Sequence, residues 1–154
     1  MASCQAYDDR IYLEPLILII LVLLQLPFYF VADPCYHYNN LSDDTRKISY
    51  ATAPASELCD SQLSEGWYRF VGDAGTKMPT TRVPAYRCGT DFSGWLDGAH
   101  PTVEDGKIQR KVCFSDRNQG CKYLEAIFVK NCGSYLIYKL FRSAGCPSRY
   151  CGTD

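Results

Sequence analysis

The sequence predicts a small, disulfide-rich, mainly β domain of antiparallel strands, preceded by one hydrophobic N-terminal helix. Three observations carry that prediction. Eight of the nine cysteines fall after Ala32. Short apolar runs with period-two alternation recur between residues 67 and 141, and no helical period is sustained after residue 33. A single unbroken apolar run, Leu16 to Leu24 (LILIILVLL), stands near the N-terminus.

With Gln25 and Pro27 tolerated, the apolar run reaches Ala32. A helix over residues 16–32 rises about 26 Å, slightly short of the ~30 Å hydrocarbon core. The segment reads as a secretory signal cut after Ala32, or as an uncleaved signal-anchor. Phe30 is bulky for a position just before a cut, and Asp8, Asp9 and Glu14 stand where a basic leader is usual. A buried core helix is disfavoured, because nothing else in the chain is large enough to cover such a helix on all sides. Residues 1–32 are therefore assigned to targeting, and residues 33–154 to one domain in an oxidising space. Membrane contact is expected only through residues 16–32, and only if they are retained.

Cys4 precedes the apolar run. The others are Cys35, Cys59, Cys88, Cys113, Cys121, Cys132, Cys146 and Cys151. No two have C-x-x-C spacing, and only His37 and His100 are available to complete a zinc site, so disulfides are the better reading and no metal is expected. Spacing alone leaves on the order of a hundred pairings of eight cysteines open.

The strands follow in order. Residues 36–65, including "HYNNLSDDTRK" and "ATAPASEL", read as loops or a short helix. Residues 67–71 alternate well. Residues 83–87 are interrupted by Pro84, which fits an edge or irregular strand. Residues 107–114 alternate through Ile108 and Val112. Residues 123–129 and 135–141 are the strongest strands, and Gly133-Ser134 between them predicts a hairpin. "GDAGTK" at 72–77 lacks the glycine spacing of a phosphate loop, and Pro79 follows too soon for a helix, so a turn is expected.

Catalytic chemistry is not expected. Neither histidine stands in a nucleophile–base pattern: His37 sits beside Cys35, and His100 precedes Pro101 in a loop. Asp43 and Asp44, like Glu104 and Asp105, read as solvated turn residues rather than a paired acid and base. The formal net charge is −1, so no nucleic-acid partner is implied. Lys107 and Lys111 share one strand face and Arg110 the other, the pattern of ordinary solvated charge. No cofactor is expected. Trp67 and Trp95 are expected to pack in the core, although exposed tryptophans and tyrosines can stack on sugars. Asn40-Leu41-Ser42 is an N-glycosylation sequon, which makes Asn40 the candidate modification site.

Longer motifs point further. "DPC" at 33–35, "GWYRFVGDAGTKMP" at 66–79, "VPAYRC" at 83–88, "WLDGAHP" at 95–101, "KVC" at 111–113, "KNC" at 130–132, "YLIYKL" at 135–140 and "YCGTD" at 150–154 cover about four fifths of the chain. This stretch resembles the cysteine-rich, D8C-type domain of uromodulin, the pancreatic zymogen-granule glycoprotein and the liver oncoprotein-induced transcript protein. Some members of that group carry ten cysteines, with the extra pair where this chain has Arg82 and Gly120. The resemblance implies the pairs Cys35–Cys132, Cys59–Cys146, Cys88–Cys151 and Cys113–Cys121. It also implies a non-catalytic domain and a C-terminal tail that is tied down. Asp97 and Ala99 replace a sequon that relatives carry in the "WLDGAHP" region. The EGF-like repeats, the polymerising module and a lipid-anchor signal found in relatives are not expected here.

The functional expectation is a secreted, non-enzymatic extracellular module that binds or presents, with glycan-mediated capture of microbial adhesins as its partner chemistry. The alternatives are a signal-anchored single-pass surface recognition protein, with residues 33–154 outside the cell, and a component of extracellular matrix assembly.

Overall fold

The chain divides into two units, residues 1–31 and 32–154. A computed structural model describes residues 32–154, apart from Pro54, Gln119 and Ala144. The expected N-terminal helix, the targeting segment and Cys4 lie outside the described residues.

Seven strands form one sheet: β1 (Asn39–Leu41), β2 (Gly66–Phe70), β3 (Phe92–Asp97), β4 (Lys107–Ser115), β5 (Cys121–Asn131), β6 (Leu136–Leu140) and β7 (Ser148–Tyr150). Their spatial order is β1-β2-β6-β5-β4-β3-β7. The centre is antiparallel, as the alternating runs predict. The edges differ: β1 pairs parallel to β2, and β7 pairs parallel to β3. The sheet is therefore mixed, which corrects the all-antiparallel expectation. Parallel neighbours need long crossovers, and β1–β2 and β3–β7 are separated by long stretches of chain that supply them.

β5 and β6 form the expected hairpin. Gly133 turns it at φ 90°, a left-handed conformation that favours glycine, and Cys132 N–H donates to Tyr135 O at 2.8 Å. Residues 83–87 form no strand, because Pro84 cannot donate to a ladder; the segment's β-type pairing is an isolated bridge, Ala51 to Arg87. β1, β3 and β7 carry too few alternating residues to be read from the sequence.

Alternation sorts the side chains to the two faces. Phe70, Leu96, Val112, Phe114, Ile127, Val129, Tyr138 and Leu140 meet on one face, and Ala74 and Met78 from the irregular segment after β2 close over them. Ring pairs set this core at tilted and edge-on angles, such as Phe70 against Tyr138 with centroids 5.7 Å apart. A smaller cluster of Val83, Cys88 and Cys151 packs with Ile48 and Trp95. Trp95 thus packs as expected, and its indole N–H donates to Ser115 Oγ at 3.0 Å. Trp67 does not join either cluster, because it alternates with the core residues Tyr68 and Phe70 and so stands on the opposite face.

Four disulfides join Cys35 to Cys132, Cys59 to Cys146, Cys88 to Cys151 and Cys113 to Cys121. Three of them connect the last third of the domain to distant earlier segments. The C-terminal tail is fixed as well: Thr153 and Lys77 exchange backbone hydrogen bonds, Gly152 N–H donates to Arg46 O, and Lys47 pairs with Asp154 at 2.6 Å.

Two ionic features hold the irregular segments onto the sheet. Arg46 and Asp60, both nearly inaccessible, meet through two hydrogen bonds, and Asp60 also accepts from Tyr150 N–H at 2.9 Å. Arg149 reaches Asp43 at 2.5 Å and Thr45 Oγ1 at 2.7 Å. Asp43 is therefore more than a solvated turn residue. Burial opposes its charge, but hydrogen bonds from Thr45 and Arg149 outweigh that and hold the carboxyl at about 2.

Candidate functional site

Asn40 lies in the exposed edge strand β1. Its neighbour Leu41 and the ladder partner of Leu41, Phe70, both turn inward to the core. Asn40 and its own partner Arg69 therefore face outward together. The sequon asparagine is exposed and sits beside a cationic side chain on the neighbouring strand.

Arg69 anchors an aromatic group. Its guanidinium lies 4.0 Å from the centre of the Tyr135 ring, and it donates to Tyr38 Oη at 3.1 Å. The two rings lie 5.5 Å apart. The hydrogen bond from Arg69 lowers the pKa of the Tyr38 phenol, while burial raises that of Tyr135. The Tyr135 hydroxyl donates to Cys35 O at 2.6 Å. The Cys35–Cys132 bridge thereby pins the segment before β1 to the β5–β6 turn, and Lys130 pairs with Asp33 at 2.8 Å to reinforce that join.

Beside this stack runs a groove of about 360 Å³ between the end of β2, the Thr76–Lys77 segment and the β5–β6 turn. Its rim is well fixed: Asn131 donates to Pro101 O at 3.0 Å and accepts from Gly133 N–H at 2.8 Å.

The remaining site residues fall elsewhere. Cys88, Cys113 and Cys151 are buried, and Cys121 and Cys146 lie at the surface. The Cys35–Cys132 bridge adjoins the tyrosine stack through the Tyr135 hydrogen bond to Cys35 O. His100 is half-buried, with Nε2 at 2.9 Å from Tyr138 Oη, which in turn accepts from Met78 N–H at 3.0 Å. Burial and then the Lys77 charge push the imidazole down to about 4, so it is neutral at physiological pH and acts as a packing and hydrogen-bonding residue. Among the described residues, no group of three or more His, Cys, Asp or Glu is placed to hold a metal ion, and no helix is long and apolar enough to cross a membrane.

The Arg69–tyrosine stack was not visible in the sequence. Its members are 31 to 97 positions apart, and only the parallel β1–β2 pairing and the Cys35–Cys132 bridge bring them together.

This architecture defines a disulfide-stapled β-sheet domain with an outward-facing sequon on one edge strand. Residues 68–152 match the model of the uromodulin-like D8C domain, and the chain belongs to that family. The pancreatic secretory granule membrane major glycoprotein GP2 of Canis lupus familiaris is 41% identical over 120 residues, 77% of this chain and 23% of that protein. The Rattus norvegicus GP2 is 43% identical over 123 residues, with the same shares. Mus musculus uromodulin is 38% identical over 120 residues, 77% of this chain and 18% of its own length. The chain thus spans about a quarter or less of the length of these relatives.

Proposed function

We propose that the domain is a non-enzymatic extracellular module that displays an N-linked glycan on Asn40, and that this glycan is the handle by which microbial adhesins are captured. The observation that carries the reading is the position of the sequon. Asn40 projects outward from an edge strand of a rigid, four-disulfide domain, where a glycan is accommodated without disturbing the core. The disulfides and the membership of the uromodulin-like family support secretion. The test is adhesin or bacterial binding to protein from a secreting cell culture, before and after enzymatic removal of the glycan. Binding that disappears with the glycan supports presentation; binding that is absent, or indifferent to the glycan, sinks it.

A second reading is a signal-anchored surface protein. It is favoured by the acidic leader, by Phe30 near the expected cut and by Cys4, a position for palmitoylation near a membrane. Carbonate extraction decides between the two. An anchored protein stays with the membranes, whereas a secreted one appears in the medium without residues 1–32.

A further inference from the structure

We propose that the groove beside the Arg69–Tyr135 stack is a binding site for an acidic sugar, a saccharide carrying a carboxylate or a sulfate. It is distinct from the Asn40 glycan: there the domain offers its own sugar, and here it takes another's. The idea depends on the extracellular reading only for where such sugars are met.

Three features point to an anionic ligand. The groove's volume of about 360 Å³ is in the range of small-ligand sites and large enough for a monosaccharide unit. Its charged lining consists of two cations, Arg69 and Lys77, and no carboxylate lines it. Among the described residues, Arg69 spends one guanidinium N–H on Tyr38, and Lys77 has no carboxylate within ion-pair distance. An anion entering the groove therefore meets cations that are not already neutralised, and an Arg fork suits a planar carboxylate or a sulfate.

The other features favour a sugar over a bare anion. Tyr135 forms part of the wall, Tyr38 stacks against it, and Tyr36, 81% exposed, stands beside Cys35, whose carbonyl Tyr135 holds. Aromatic faces receive the C–H faces of a pyranose. Ser134 and Gly72 also line the groove and add polar groups to it. The wall is preorganised by the Cys35–Cys132 bridge and by the Asn131 hydrogen bonds, so little ordering is needed on binding.

The experiment uses the full chain, produced in cells that make only neutral oligomannose glycans, so that no acidic sugar of its own competes. It is titrated by NMR or calorimetry with 3′-sialyllactose, a sulfated heparin disaccharide and neutral lactose. The expected result is at least tenfold tighter binding of one or both acidic sugars than of lactose, weakening as salt is raised. The carboxylated and sulfated arms tell which source the groove prefers. Lys77→Gln and Arg69→Gln should each reduce acidic-sugar binding by about tenfold. Arg69 also holds the tyrosines, so the Lys77 variant, whose amine carries no structural ion pair, is the decisive one. Acidic and neutral sugars binding alike, or acidic-sugar binding unchanged in Lys77→Gln, overturns the proposal. Neither result bears on adhesin capture through Asn40, which is read separately by glycan removal.

Discussion

Arg46 and Asp60 form a two-pronged ion pair within the domain, with Nη2–Oδ1 at 2.6 Å and Nη1–Oδ2 at 2.9 Å and both side chains under a tenth exposed. Arg46 also donates to Tyr150 O, and Asp60 accepts from Tyr150 N–H, so the pair clasps edge strand β7. Truncating one partner leaves a buried charge without a counter-charge, which typically costs about 3–5 kcal/mol. Arg46→Ala and Asp60→Ala should therefore each secrete poorly and unfold at much lower urea. The double variant Arg46→Met/Asp60→Leu should recover much of the loss, because it removes both charges. A double variant no better than the singles would show that the pair's charge is not the source of the effect.

A close approach of backbones makes Gly94 intolerant of a side chain. A Cβ there would stand 2.8 Å from Arg149 O on β7 and 2.8 Å from the Phe114 ring. Gly94→Ala should destabilise by about 1–3 kcal/mol through overpacking. Gly145→Ala, with open space around its Cβ, is the matched control and should be close to neutral. Thermal melts of the two secreted variants compare them directly.

Acid should weaken the fold through His100. Its folded-state pKa is lowered from 6.5 to about 4, so the neutral form is favoured in the native state. Its contribution is complete above about pH 6.5 and is lost as pH falls toward 4, because the unfolded chain binds the proton first. The melting temperature should fall across that window, and His100→Gln should flatten this part of the curve. Asp43 acts in a separate and lower range, where stability present above about pH 4 is lost as pH falls toward 2. A curve unchanged by His100→Gln between pH 6.5 and 4 would refute the assignment.

Trp67 should be more replaceable than Trp95. Trp67 stands on the outer face beyond both core clusters, whereas Trp95 packs on Val83 and the Cys88–Cys151 bridge and bonds Ser115. Trp95→Ala should impair secretion strongly, as expected for a large cavity, and Trp67→Ala only mildly. This revises the sequence-based expectation that both tryptophans build the core. Equal losses in secreted yield would restore it.

The central sheet was legible because β2, β4, β5 and β6 are long enough for alternation to show, and Gly133-Ser134 marks their hairpin. The edges were not. β1 and β7 have three residues each, and their pairing is fixed by partners far along the chain. Pro84 pointed to an edge or irregular strand over residues 83–87, whereas the segment forms no strand. The buried ion pairs were invisible for a different reason: Asp43, Arg46 and Asp60 sit in polar loops where solvated charge is the ordinary outcome, and only the fold brings Arg149 and Tyr150 to them. The sequon named Asn40, but not that Arg69 would lie beside it on the next strand.

The Cys35–Cys132 bridge has a mechanical consequence. A pull applied between Asp33 and Asp154 does not run along the whole polypeptide, because the bridge transfers it straight to residue 132. The segment left to lengthen, from Cys132 to Asp154, spans only about 75 Å when fully drawn out, against roughly 400 Å for the reduced chain. Under tension, the oxidised domain behaves as a short tether with most of its length held in reserve, and because Cys59–Cys146 and Cys88–Cys151 also tie the C-terminal tail to earlier segments, the full length is released only when those bridges are reduced as well.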